Sequence, residues 1–393
     1  YNLISGLLFT DLRLIFLIKN KEIIMLKKII LTTITFFLSL GMASNSIAGS
    51  HINWSEVEKK AKEEGQVYWF NWYLEEPLQN FAKRFEDEYG IKVTVPAGEN
   101  QINLDKVIAE KDRAKGDVDV LSIGFNRVPD LPMDELFIKL VDAIPTDENR
   151  TPEIAGINGL GYAYAFWGNQ SGIAYDPEHV AEADLPQTPA EFQDFWNANP
   201  GKFGYNFENG GSGPSFFLNV IKNLTDVDFD NGEVTDEKIA QVASSYDFFN
   251  NGSENYIITG GNADSIQRIS DREIWMAPAW EDHLAGLMNR GEVRKEIAYY
   301  IPEMGMYGGG NGIVVPKNAP NPNAALFFAN WLLSAETQTA FNTEFGTAPL
   351  HKLADDSNAL IPNSQRAFRT NWAAQPFRGV VEEQFVENVI LER

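Results

Sequence analysis

Not one cysteine occurs in the 393 residues. Disulfides, thiolate metal ligands, cysteine nucleophiles and lipid attachment through an N-terminal cysteine are therefore excluded within this sequence. Histidine is nearly as scarce. His51, His179, His283 and His351 are scattered, with no H-x-x-x-H or H-E-x-x-H pair to hold a zinc ion. The G-x-S-x-G elbow of hydrolases is missing too, since Gly211-Ser212-Gly213 runs into Pro214. A glycine run at 308–312 precedes a strand pattern instead of a helix and lacks the lysine of a phosphate loop, so it reads as a tight turn. Basic residues are short as well: 32 Lys and Arg against 55 Asp and Glu give a net charge of −23. Nucleic acid and anionic membrane surfaces are poor partners for such a chain. Most of the surplus acid serves solubility, and it is compatible with a cationic ligand.

What is present begins with an export signal. Met25-Leu26-Lys27-Lys28 is a basic head, 29–42 an apolar stretch, and Ser46-Ile47-Ala48 supplies small residues before a cut after Ala48. We expect residues 1–24 to be an upstream extension, 25–48 a secretory signal peptide, and the mature protein to be periplasmic, unanchored and not a lipoprotein. Losing five basic and two acidic groups with residues 1–48 moves the net charge from −23 to −26. At 44% hydrophobic, the remainder can bury a core of two lobes.

The best-punctuated stretch is 67–95. Val67-Tyr68-Trp69-Phe70 reads as a buried strand. Leu78, Phe81, Phe85 and Tyr89 mark one face of a helix, Gly90 its C-cap, and 91–95 a second strand. The result is a βαβ unit whose loop, with Trp72 and Tyr73, lies at a strand's carboxyl end, where open α/β sheets bind ligands. Further strands are expected at 117–123, 162–175, 202–207, 273–280, 298–301 and 313–316. Helices are expected at 54–64, 104–114, 188–199, where Thr188-Pro189-Ala190-Glu191 has the form of a capped start, 216–224, 236–249, 263–269, 283–289 and 323–333. Strands alternating with helices throughout define an α/β chain.

Aromatic and polar residues recur together at strand ends: Trp72 and Tyr73, Phe125 and Asn126, Trp167, Trp280 with Glu281 and Asp282, and Tyr307 with Asn311. Aromatic faces and carboxylates are how proteins hold an organic ammonium. Glu75 and Glu76, just before Pro77, are as well explained by placement at a helix N-terminus.

In their order along the chain these pieces resemble the type II periplasmic solute-binding proteins of ABC importers. They are Asn-Trp after an aromatic strand, F-x-x-E-x-G-I-K-V at 85–93, D-x-D-V at 117–120, W-G-x-x-x-G-I-x-Y at 167–175, M-A-x-x-W at 276–280, and V-P-K-N-A-P-N-P-x-A-A at 315–325. The resemblance is greatest to the spermidine/putrescine-binding group and a related uncharacterised branch. It implies an α/β fold of two discontinuous lobes with central mixed sheets and an inter-lobe cleft. Lobe 1 would take 49–165 with 305–340, and lobe 2 would take 166–304 with 341–393. It implies a monomer that binds a small, cationic, polyamine-like molecule without cofactor, metal or catalysis, and hands it to membrane permease subunits. Trp72, Tyr73, Trp280 and either Glu281 or Asp282 fall where polyamine binders hold their ligand, while Asn311 stands where that group has a carboxylate. Thiamine, an aminophosphonate bound at the glycine-rich loop 209–215, and ferric ion at Tyr299-Tyr300 are the alternatives within the class. An exported α/β hydrolase is the alternative outside it.

Overall fold

The computed structural model describes residues 52–361 and 363–393. The expected extension and signal peptide lie outside the described residues. Among those residues no helix is long and apolar enough to cross a membrane.

The βαβ unit forms as its punctuation demands. Strand β1 (Gln66–Phe70) pairs in parallel with β2 (Lys92–Thr94) across the helix Glu75–Tyr89. Leu78, Phe81 and Phe85 are buried along one side of that helix, and Gly90 ends it at φ 71°, a left-handed conformation that suits glycine. Phe81 stacks on Phe341 at 4.1 Å between ring centres. Each such buried side chain stabilises the fold by roughly 1.5–3 kcal/mol.

The other strands follow in chain order: β3 (Val120–Gly124), β4 (Glu153–Ile154), β5 (Ile157–Asn158), β6 (Tyr164–Tyr175), β7 (Phe203–Tyr205), β8 (Tyr256–Ile258), β9 (Met276–Trp280), β10 (Ala298–Tyr300), β11 (Met306–Val314) and β12 (Arg369–Thr370). Apart from the β4–β5 hairpin they join one mixed sheet in the order β2-β1-β3-β11-β6-β9-β7-β8, with β10 on β6 and β12 on β11. Strands β6 and β11 are long because each serves two cores. The first half of β6 pairs with β11, and the second half with β9 and β10. Trp167 and Ile313 pack with Phe81, Phe85 and Phe328, whereas Ile173 and Tyr307 pack with Phe217, Phe249 and Phe385. Two hydrophobic bodies thus share two crossing strands, the architecture of a two-lobed periplasmic binding protein.

Several local readings hold. Thr188 and Glu191 form a reciprocal capping box at the helix Pro189–Ala198. The D-x-D-V motif gains a reason: Asp119 is fully buried and accepts N–H bonds from Tyr68 (2.9 Å) and from the Asn321 backbone (2.7 Å) and amide (3.0 Å). It ties β1 to the start of the helix Pro322–Leu332.

Other readings fail for identifiable reasons. The run 308–312 is no turn; it lies inside β11. Its glycines let β11 lie close to its neighbours, for a Cβ on Gly310 would meet the carbonyl oxygen of Trp167 at 2.5 Å and Ile154 Cδ1 at 2.8 Å. We expect Gly310→Ala to cost ~1–3 kcal/mol, read as a lower urea midpoint with unchanged slope. The helix expected over 236–249 breaks into Asp236–Ala243 and Tyr246–Asn250, and the polar stretch after it hides β8.

Candidate functional site

Strand ends from both hydrophobic bodies converge on a cleft of about 1030 Å³, roomy for a small-molecule site. Of the ten residues expected to bind ligand, Trp72, Phe125, Asn126, Trp280 and Asn311 line it. Trp72 is half-buried and meets Tyr73 edge to face at 4.9 Å, while Phe125 lies against Gly312 at the end of β3. Gly210, Gly211 and Pro214 of the glycine-rich loop also reach the lining.

The other five stand elsewhere. Tyr73 packs on Trp167 at 5.2 Å, and its hydroxyl accepts a hydrogen bond from Asn311 Nδ2 at 2.8 Å. Burial pushes its phenol well above the usual range. Trp167 is fully buried among Phe166, Phe341 and Phe345, so it offers no face to a ligand. Its indole Nε1 instead donates to Asp282 Oδ2 at 2.7 Å. Tyr307 is fully buried beneath Trp372, with ring centres 4.4 Å apart.

Glu281 and Asp282 part company because the helix Glu281–Asn289 begins at once after β9, and successive helical residues point about 100° apart. Glu281 turns inward, 1% exposed, to meet Arg366 Nη2 at 2.9 Å and the Ile361 N–H at 3.3 Å. Burial outweighs the guanidinium and pushes its carboxyl up to about 7. Asp282 is half-buried, bonded to Trp167 and to N–H groups of the helix's first turn, and no basic side chain lies within ion-pair distance among the described residues. Burial pushes it up to about 6, and its charge in turn raises the Tyr73 phenol. Asp282, Trp167, Tyr73 and Asn311 therefore form one polar layer joining the two walls.

Tyr299 and Tyr300 spend their hydroxyls on main-chain carbonyls, Gln170 and Ala279 for the first and Pro186 for the second. Neither is presented as a metal-binding phenolate.

Sequence reasoning missed the C-terminal contribution. Trp372, Arg378 and Glu382 line the cleft, as do Arg127, Asp130 and Asp230. Trp372 faces Trp280 at 6.3 Å and carries the Arg378 guanidinium over its ring at 4.9 Å. Trp372 sits in a loop without periodicity. The one available signal was the Arg378–Glu382 spacing of four.

Residues 80–367 match the bacterial extracellular solute-binding proteins, and the chain belongs to that family. By family it is an extracellular solute-binding protein and not an enzyme. Among curated relatives, a maltooligosaccharide ABC transporter solute-binding lipoprotein of Streptococcus pneumoniae is 25% identical over 293 residues, 66% of either chain. This chain thus spans about two thirds of that relative's length. Among solved structures, the spermidine/putrescine substrate-binding protein PotD of Streptococcus pneumoniae superposes with a TM-score of 0.64 at 14% identity, covering 84% of this chain and 99% of that one. Iron-bound HitA of Pseudomonas aeruginosa does so at 0.57 and 17% identity, covering 83% and 98%. At these identities the likeness is one of fold.

Proposed function

We propose that this binding protein captures a small organic cation, polyamine-like, in the tryptophan-lined cleft and delivers it as a monomer to its permease subunits. The observation that carries the reading is Asp282. A half-buried carboxylate with no basic partner among the described residues is costly in an otherwise folded protein, and from behind the lining, to which Trp167, Tyr73 and Asn311 join it, its charge favours an ammonium in the cleft. Trp72, Trp280 and Trp372 line the same cleft and offer faces for cation–π contact. Asp130 and Asp230 add exposed carboxylates to its lining. The two lobes that close on the ligand would then follow the two hydrophobic bodies, with the expected borders at 166, 305 and 341 displaced, because Trp167, Phe341 and Phe345 pack with Phe81 while Tyr307 packs with Phe217.

A thermal-shift panel of putrescine, spermidine, thiamine, an aminophosphonate, ferric citrate and maltotriose tests the reading. We expect the amines to raise the melting temperature. A shift by maltotriose alone would replace the cation with a sugar stacked on the tryptophans. Trp280→Ala should weaken the binding of the stabilising amine by ~1–2 kcal/mol, and unchanged affinity in titration calorimetry returns Trp280 to a packing role.

A further inference from the structure

The cleft also holds two cations of its own. Arg127 lies in the short 3-10 helix Phe125–Asp130, whose Phe125 and Val128 pack against Leu121 and Val314. Arg378 lies in the helix Phe377–Phe385, whose Phe377, Val381 and Phe385 pack with Phe217 and Phe249. Both side chains are half-buried and line the cleft. Arg127 has a neutral partner, donating from Nη2 to Gln101 Oε1 at 2.9 Å. Arg378 already has an acidic neighbour, its Nε lying 3.5 Å from Glu382 Oε1 in an ion pair without hydrogen-bond geometry, and its guanidinium lies over Trp372. The Nε of each guanidinium is buried and makes no hydrogen bond among the described residues.

Scarcity of acids does not explain this, because Asp and Glu outnumber Lys and Arg by 55 to 32. A guanidinium presents a rigid fork of N–H donors that matches a carboxylate or phosphonate. A ligand bearing only positive charge would meet repulsion from Arg127, which has no acidic partner among the described residues, and it would leave both buried N–H groups without a hydrogen bond.

We propose that the ligand is a zwitterion whose anionic end, a carboxylate or phosphonate, is taken by Arg127 beyond the end of β3 and by Arg378 of the helix Phe377–Phe385, while its ammonium end meets the tryptophans within the field of Asp282. The proposal rests on the cation reading above and narrows it. An anion held from both sides would draw the two walls together, and Arg378 is already oriented for it by the ring of Trp372.

Titration calorimetry with a charge-swapped set decides the matter: 1,5-diaminopentane, 5-aminopentanoate, 3-aminopropylphosphonate, pentylamine and pentanoate. We expect at least one zwitterion to bind tenfold or more tightly than the diamine. The better of the two names the anion as carboxylate or phosphonate. Arg127→Gln and Arg378→Gln should each weaken the zwitterion tenfold or more and leave pentylamine unchanged or tighter, and Arg378→Lys should fall between. The unliganded melting temperature of each variant reports that it has folded. Diamine binding as tight as zwitterion binding, or glutamine variants that keep full zwitterion affinity, overturn this proposal and leave the cation reading standing. Binding of pentanoate with none by any amine overturns both.

Discussion

Replacing Glu281 with alanine should lower the unfolding free energy by ~3–5 kcal/mol, the cost of leaving one member of a buried ion pair without its partner. The orphaned groups are the Arg366 guanidinium, whose side chain is 14% exposed, and the Ile361 N–H. Glu281→Gln should cost far less. A carboxyl held at about 7 is near the point where its neutral and ionised forms are equally populated, so a neutral amide of the same shape replaces a state the native protein already visits. Guanidinium chloride titrations of both variants at pH 7 check this, through a large fall in midpoint for alanine and a small one for glutamine. Equal losses would mean that the charge itself, and not the hydrogen bonds to Arg366 and Ile361, sustains the contact.

The second large effect falls on ligand affinity. Asp282→Asn should weaken amine binding by ~1–2 kcal/mol, the Coulomb energy of two unit charges roughly 10 Å apart at an effective dielectric of about 20, because the amide keeps the bond from Trp167 while losing the charge. Wild-type affinity should fall as the pH drops through about 6, where the carboxyl takes up a proton, and the asparagine variant should be flat there. Stability of the unliganded protein responds with the opposite sign. The folded-state pKa of Asp282 is raised above its unfolded value, so the native state holds the proton more tightly. The contribution of this group to stability is fully present below the unfolded value near 3.8 and is lost as pH rises to about 6. Glu281 acts in the same direction up to about 7, whereas His283, lowered by burial, acts against them. The wild-type-minus-Asn difference isolates Asp282. Calorimetry at pH 5, 6 and 8 that gave both proteins the same pH slope would refute its role.

How much of this the sequence disclosed depends on the physics of each element. The βαβ unit at 67–95 was legible because periodicity, a glycine cap and a second alternating strand all agree locally. The capping box at Thr188 was legible for the same reason. Strand β11 was not, because its middle is glycine. Hydrophobic pattern does not register a residue chosen for how closely another backbone must approach. The site divided along similar lines. Trp72 and Trp280 follow apolar runs that end at the cleft, and strand ends can be located from such runs. Glu281 and Asp282 looked interchangeable until the helix start turned them about 100° apart. Trp372, Arg127 and Arg378 owe their place to tertiary folding alone: one lies in an irregular loop, one in a 3-10 turn, and one in a helix whose core partners Phe217 and Phe249 are distant in sequence.

The distribution of the nine tryptophans has a practical consequence. Trp69, Trp167 and Trp196 are sealed in the cores, while Trp72, Trp280 and Trp372 border the cleft from both sides. The protein thus carries its own optical reporter. Emission from the sealed indoles should stay constant while that from the bordering three shifts to shorter wavelength as a ligand drives out water. Occupancy can be followed without a label, and converting the three to phenylalanine one at a time would show which wall senses the ligand first.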